Sequence, residues 1–173
     1  MTEKQWDKLL KIKTSGRDDS KSNTYNYPYE PTPYEVLERL ASSAYITKAN
    51  TVLDYGCGKG RVEFYLAYQT KCSCIGIEYD ERMYEKAIEN QKDFSQAQRT
   101  QFVLENAVNY QVESKVDRIY FFNPFSVDIL QKVMMQVMDS YYENPREILL
   151  FFYYPSDEYL NYLLNFDALT LHD

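Results

Sequence analysis

Histidine is nearly absent from this 173-residue chain, and cysteine is scarce. The only histidine, His172, stands one residue from the end, which takes support from Ser-His-Asp chemistry and from zinc binding. Three cysteines, Cys57, Cys72 and Cys74, are an odd number without metal-ligand spacing, so neither a disulfide scaffold nor a metal site is expected. No apolar run approaches the roughly 18 residues of a membrane span. The charged N-terminus also lacks the apolar centre of a secretory signal. A cytoplasmic protein with no membrane or metal partner is the expectation, and oligomeric state is left open. Positive charge is in short supply too. The net charge of −7 works against broad attraction to nucleic acid and leaves proteins or small molecules as the favoured partners. The deficit is uneven, because residues 1–24 hold six Lys/Arg against four Asp/Glu.

What is present has a clear order. Residues 1–26 read as a flexible polar arm, since Thr14 to Asn26 is rich in Ser, Asp, Lys and Asn without apolar period. Residues 27–173 read as one domain. Thr32-Pro33-Tyr34-Glu35 offers a capping residue, proline at the first helical position and glutamate three after the cap, so a helix is predicted from Pro33. Strand-like runs then fall at Thr51 to Tyr55, Cys74 to Glu78, Phe102 to Leu104, Arg118 to Phe122 and Ile148 to Tyr154. Helical periods separate them at Arg61 to Thr70, Asp80 to Gln91 and Val127 to Tyr141. Such alternation predicts an α/β fold with a doubly wound, mostly parallel sheet. Ser156 to Leu164 reads as a last helix and Ala168 to Leu171 as a short strand. If the fold closes with an antiparallel pair, one member is missing, through truncation or a reduced edge.

In a doubly wound sheet ligands settle beyond the carboxyl ends of the strands. The residues at those ends are Asp54 with Gly56, Gly58 and Gly60, then Glu78-Tyr79, Asn106-Ala107 and Asn123-Pro124-Phe125. The three glycines clear space beside a helix amide end, where a nucleotide-like cofactor fits. Glu78 follows Gly56 by about the 20 residues expected of a carboxylate that accepts hydrogen bonds from ribose hydroxyls. The third glycine comes one residue early for the G-x-G-x-x-G of nicotinamide and flavin sites, and Arg61 occupies the later position. A tight turn with no ligand accounts for Gly56 and Gly60 but not for Glu78.

On these residues the chain resembles the class I S-adenosylmethionine-dependent methyltransferases, with their Rossmann-like fold, over roughly residues 30–173. The resemblance implies S-adenosyl-L-methionine as cofactor. It implies that Asp54 and the loop residues Gly56, Gly58 and Gly60 hold the methionine part and that Glu78 binds ribose. It further implies that Tyr79 packs on adenine and that Asn106 with Ala107 caps the adenine edge. Asn106 departs from the commoner aspartate. Asn123-Pro124-Phe125 looks like a shortened Asn-Pro-Pro-aromatic motif of amino-methyltransferases, which implies two carbonyl acceptors orienting a substrate nitrogen as the catalytic group. The bland alternative is an Asn-Pro turn with Phe125 in the core.

Tyr25 to Tyr34 is the second unusual cluster. It is expected to form a wall or lid of the site, with Thr32 or Tyr34 near the methionine end, or else to pack the first helix. Tyr153-Tyr154-Pro155 reads equally as core or pocket rim. Arg61 and Glu63 are expected to be solvated, and Cys57 is expected to be open to alkylation. The acceptor is unassigned among protein, small molecule and structured RNA. Two other classes stay open: a cofactor-binding regulatory module without turnover, and, less favoured by loop spacing, a dinucleotide-dependent oxidoreductase.

Overall fold

The computed structural model describes residues 1–18 and 29–172. Five parallel strands, β1 (Thr51–Tyr55), β2 (Ser73–Glu78), β3 (Thr100–Leu104), β4 (Arg118–Phe121) and β5 (Leu149–Phe152), form one sheet in the order β3-β2-β1-β4-β5. The chain winds outward from β1 to β3, then returns to the other side of β1 to lay down β4 and β5. The switch point is therefore between β1 and β4, and a crevice opens at the carboxyl ends of those strands.

Helices cover both faces, which is why the strands carry so few polar residues. One face receives α1 (Glu3–Leu10), α2 (Tyr34–Ser42), α3 (Arg61–Thr70) and α4 (Glu81–Asp93), packed through Trp6, Leu10, Leu37, Phe64, Leu66 and Ala87. The other receives α5 (Val127–Glu143) and α6 (Asp157–Leu164), through Leu130, Val133, Met134, Val137 and Tyr159. Strand residues alternate between the two: Val52 faces the first layer, Leu53 and Tyr55 the second. Asp54 shares the face of Val52. In register it is flanked by Gly76 of β2 and Tyr120 of β4.

The N-terminal region departs from the expected polar arm. Thr2 caps α1 in a reciprocal capping box with Gln5, and Trp6, Leu10 and Ile12 are buried against the first helical layer. The net positive charge of this stretch masks three anchors at i, i+4 and i+6. Residues 19–28, with Tyr25 to Pro28 of the aromatic cluster, lie outside the described residues.

The second helix also differs from its sequence signature. It starts at Tyr34, and Pro33 takes the cap position without a side-chain bond. Thr32 does not cap, because its hydroxyl pairs with that of Tyr120 at 3.1 Å inside the protein. Residues 168–171 form no strand; the Leu169 amide turns back onto the Phe166 carbonyl, and Leu169 packs on the second layer.

Candidate active site

At the end of β1 the backbone must turn sharply into α3, and all three loop glycines adopt positive φ. Gly56 lies under Pro124, whose Cβ is 2.8 Å from where a side chain at Gly56 would begin. Gly58 lies under the ring of Tyr29, 2.2 Å from such a position. Here the glycines make room for the protein itself as well as for a ligand: Tyr29 is seated on the loop, with its hydroxyl donating to the Thr14 carbonyl at 2.6 Å and Lys59 Nζ 4.7 Å from its ring centre.

Glu78, at the tip of β2, is almost fully buried. Its Oε2 accepts from the Gly58 amide at 2.9 Å and its Oε1 from the Asp80 amide at 2.8 Å. Burial raises its pKa, and the backbone amides of Asp80, Gly58 and Tyr79 oppose that rise. Each oxygen retains a lone pair for a further donor. Tyr79, next in sequence, is exposed on the rim.

The cleft above the sheet switch point is lined by Tyr29, Thr32, Asp54, Gly56, Arg61, Glu78, Tyr79, Met83, Asn106, Ala107, Tyr120, Phe122, Pro124 and Phe125, among others. Of the sequence-derived site residues, Thr32, Asp54, Gly56, Glu78, Tyr79, Asn106, Ala107, Pro124 and Phe125 thus share one crevice. Gly58 reaches it through the Glu78 contact. Gly60 instead turns its α-carbon toward the rings of Phe64 and Phe102. Tyr34 does not reach it: it is buried, donates to Asp7 Oδ1 at 2.6 Å and lies under the Arg61 guanidinium. Tyr153 packs at a tilt against Phe122 and Tyr154 faces solvent, and neither lines the cleft.

Sequence reasoning missed Arg61, Tyr120, Phe122 and Met83 as lining residues, whereas Tyr29 belongs to the segment expected to form a wall of the site. Arg61 is buried, not solvated. Its guanidinium pairs with Glu3, its Nε donates to Thr14 Oγ1 at 2.7 Å and its Nη1 to the Thr32 carbonyl at 3.1 Å. Asp7 completes this knot. Burial works against its charge, yet hydrogen bonds from Tyr34 and Thr14, with Arg61 nearby, hold its carboxyl below the usual range. The knot ties α1 and the segment entering α2 to the start of α3. Its only sequence trace is the arginine directly after the glycine loop.

Two further expectations are corrected. Cys57 is buried, and burial beside Glu63, Glu78 and Asp54 pushes its thiol well up, which makes it a poor nucleophile. Glu63 is 1% exposed rather than solvated.

On the β4 side, Asn123 adopts φ 42°, a left-handed conformation, and its Oδ1 is buried with no hydrogen-bond partner among the described residues. Pro124 lines the cleft but is not repeated, so there is no second proline to lift the aromatic ring outward. Phe125 packs edge-on to Tyr55 and Phe121, with centroids at 6.2 and 6.4 Å, and its carbonyl accepts from the Tyr159 hydroxyl at 2.6 Å. Only part of its surface borders the cleft. Among the described residues no group of three or more acidic, histidine or cysteine side chains could hold a metal ion, and no helix is long and apolar enough to cross a membrane.

A parallel sheet with a glycine turn after β1 and a carboxylate at the tip of β2 suits several nucleotide-binding families. Residues 46–150, more than half of the chain, match the family model described as a methyltransferase domain. The chain belongs to this methyltransferase family. Solved structures agree on the fold. An RNA methyltransferase from Salinibacter ruber in complex with S-adenosyl-L-homocysteine has a TM-score of 0.57 and 22% identity over 64% of this chain and 71% of that one. S-adenosylmethionine-dependent methyltransferases from Thiobacillus denitrificans and Geobacter sulfurreducens, each also in complex with S-adenosyl-L-homocysteine, give TM-scores of 0.59 and 0.58 at 19% and 18% identity. These cover 70% and 76% of this chain, which spans about half of theirs, 48% and 51% respectively. No curated protein matches the methyltransferase chain.

Proposed function

We propose that the chain is an S-adenosylmethionine-dependent methyltransferase whose cleft holds the cofactor across the β1 and β2 tips and receives a nitrogen acceptor beside β4. The observation that carries this reading is the charge of the cleft. Among the described residues its lining includes six acidic side chains, Asp18, Glu30, Asp54, Glu78, Asp80 and Glu105, against one cation, Arg61, which the N-terminal knot already occupies. Arg82 pairs with Asp80 and Asp18, and Arg17 with Glu30, which leaves Asp54, Glu78 and Glu105 without an arginine partner. S-Adenosylmethionine carries a sulfonium and an ammonium and no phosphate, so it is attracted where a dinucleotide pyrophosphate is repelled. Glu78 accepts from the ribose hydroxyls through its remaining lone pairs, Tyr79 covers adenine, Asn106 and Ala107 border the base, and Asp54 meets the ammonium.

Methyl transfer from a sulfonium is an in-line displacement, so the protein contributes alignment, water exclusion and a place for the acceptor's proton. Asn123 Oδ1 and the Pro124 carbonyl are the two acceptors proposed to orient a nitrogen lone pair. The left-handed turn holds Asn123 without satisfying its amide oxygen, an arrangement that a substrate N–H completes. A phosphate-rich acceptor fits this acidic cleft poorly, which favours a protein or small-molecule amine or amide over structured RNA.

The test is transfer of a labelled methyl group from S-adenosylmethionine to pools of amines, peptides and RNA, beside calorimetry with S-adenosylmethionine and NAD. Binding of the sulfonium alone and labelling of a nitrogen compound are expected. NAD binding contradicts the cofactor assignment, and cofactor binding with no labelled product in any pool supports a binding module without turnover.

A further inference from the structure

Below the cleft floor lies a side chain that the proposed reaction has not used. Glu63, on the first turn of α3, points onto the sheet at Gly76: a side chain at Gly76 would begin 2.4 Å from Glu63 Oε1 and 2.7 Å from Cys57 Cβ and Sγ. Gly76 is thus the gap in β2 that admits a carboxyl group, and in register it is the neighbour of Asp54. Both Glu63 oxygens are buried, and no other described residue donates a hydrogen bond to them; only Glu63's own backbone amide lies near enough to favour the charged form. The acidic neighbour at that gap is Asp54, in register with Gly76, and a hydrogen bond between the two carboxyl groups favours the proton on Glu63 and the charge on Asp54.

Two carboxyl groups bond to each other only when one keeps its proton. Among the described residues every titratable group facing the pair is an acid, thiol or phenol: Glu78 and Cys74 from β2, Cys57 from the loop, Tyr120 from β4 and Tyr29 from the segment before α2. Arg61 is turned to Glu3, Thr14 and Thr32. With no cation to share, the more deeply buried member keeps the proton. Glu63 is cut off from solvent, while Asp54 lines the cleft.

We propose that Glu63 is a positioning residue: it stays protonated and donates to Asp54, holding that carboxylate ionised and directed at the cationic end of the cofactor. This rests on the cofactor reading above. Titration supports the order. Burial raises both groups, Glu63 well above the usual carboxylate range and Asp54 to about 7; the hydrogen bond from Glu63 lowers Asp54, whereas Glu78 raises it. Below that pH Asp54 must give up a proton before it can pair with an ammonium, so cofactor affinity is proton-linked.

The experiment compares wild type, Glu63→Gln, which keeps a donor, and Glu63→Leu, which does not. Calorimetric titration with S-adenosylmethionine from pH 5.5 to 8.5, in two buffers of different ionisation enthalpy, is paired with carbon-detected NMR titration of the Asp54 carboxyl without ligand. Expected for wild type are proton release on binding near neutral pH and affinity falling about tenfold per unit below the Asp54 midpoint. Glu63→Gln should keep this profile, and Glu63→Leu should move the Asp54 midpoint upward by about one unit. Identical Asp54 midpoints in wild type and Glu63→Leu overturn the proposal, as does a Gln variant that behaves like Leu. If S-adenosylmethionine binds none of the proteins, the cofactor reading fails, and the NMR midpoints still decide whether Glu63 acts on Asp54.

Discussion

The two sides of the sheet switch point are built in different ways. On the β1–β2 side the polar groups that fasten the loop and the N-terminal segment are partnered within the protein: Glu78 holds the Gly58 and Asp80 amides, Arg61 gathers Glu3, Thr14 and Thr32, and Asp7 gathers Tyr34 and Thr14; the exceptions are the Glu63 oxygens and the Tyr55 hydroxyl. On the β4–β5 side, behind Pro124 and outside the residues that line the cleft, Asn123 Oδ1 and Ser126 Oγ are buried without partners among the described residues, and Asn123 and Tyr154 sit in left-handed backbone that only glycine adopts freely. A site that must hold one common cofactor can be finished in advance. Under the proposed function, Asn123 is the polar group left for an acceptor to satisfy, held in a strained turn.

The largest test of this contrast is Arg61→Ala. It leaves Asp7 buried without its cation and unties α1 from α3, so a loss of about 3–5 kcal/mol in denaturant unfolding is expected. A loss near 0.5 kcal/mol would mean that the knot is not integral to the finished half. Asn123→Gly probes the other half, because glycine suits the turn while removing the amide. Stability and cofactor affinity should hold while turnover falls about 10²–10³-fold, or roughly 3–4 kcal/mol at the barrier. Equal losses of binding and turnover would erase the division between the halves.

Acidity separates two regions of the finished half itself. Asp54 is raised to about 7, so its contribution to stability is present below about pH 4 and lost as pH rises through neutrality. Asp7 is lowered, so its contribution is present above the ordinary aspartate range and lost as pH falls through its folded value. The unfolding free energy of the ligand-free protein, measured in urea, should therefore peak near pH 4 and fall from there to about pH 7, with a slope of about 1.4 kcal/mol per unit for each titrating group. A profile still rising at pH 8 would contradict the assignment for Asp54. The smallest effect is expected from Tyr154→Gly, which relieves a left-handed residue on the surface and should stabilise by about 0.5 kcal/mol, measured in the same assay.

The same contrast governs what could be read from sequence. The sheet was legible because parallel strands buried on both faces must be apolar and bounded by helical periods, and α3 begins at Arg61 as its pattern predicts. Asp54, Gly56, Glu78 and Asn106 were legible because strand tips converge at a switch point. What local pattern hides is long-range pairing. Arg61 and Glu63 look like any charged first turn until Glu3, Thr14 and Asp54 are brought beside them. Thr32 looks like a helix cap until Tyr120 supplies a better partner 88 residues away. The N-terminal helix was masked by its lysines, although Thr2 and Gln5 form a capping box and Trp6 begins an apolar face. Phe125 shows the limit of a motif: with one proline in place of two, its ring settles against Tyr55 and Phe121.

The account's central claim is that the β2 carboxylate anchors a sulfonium nucleoside at the switch point. Calorimetric titration of wild type and Glu78→Gln with S-adenosylmethionine tests it most directly. The account predicts saturable one-to-one binding to wild type and a loss of about 10²-fold in the variant, with the fold preserved by circular dichroism. Equal affinity in the two proteins would contradict it.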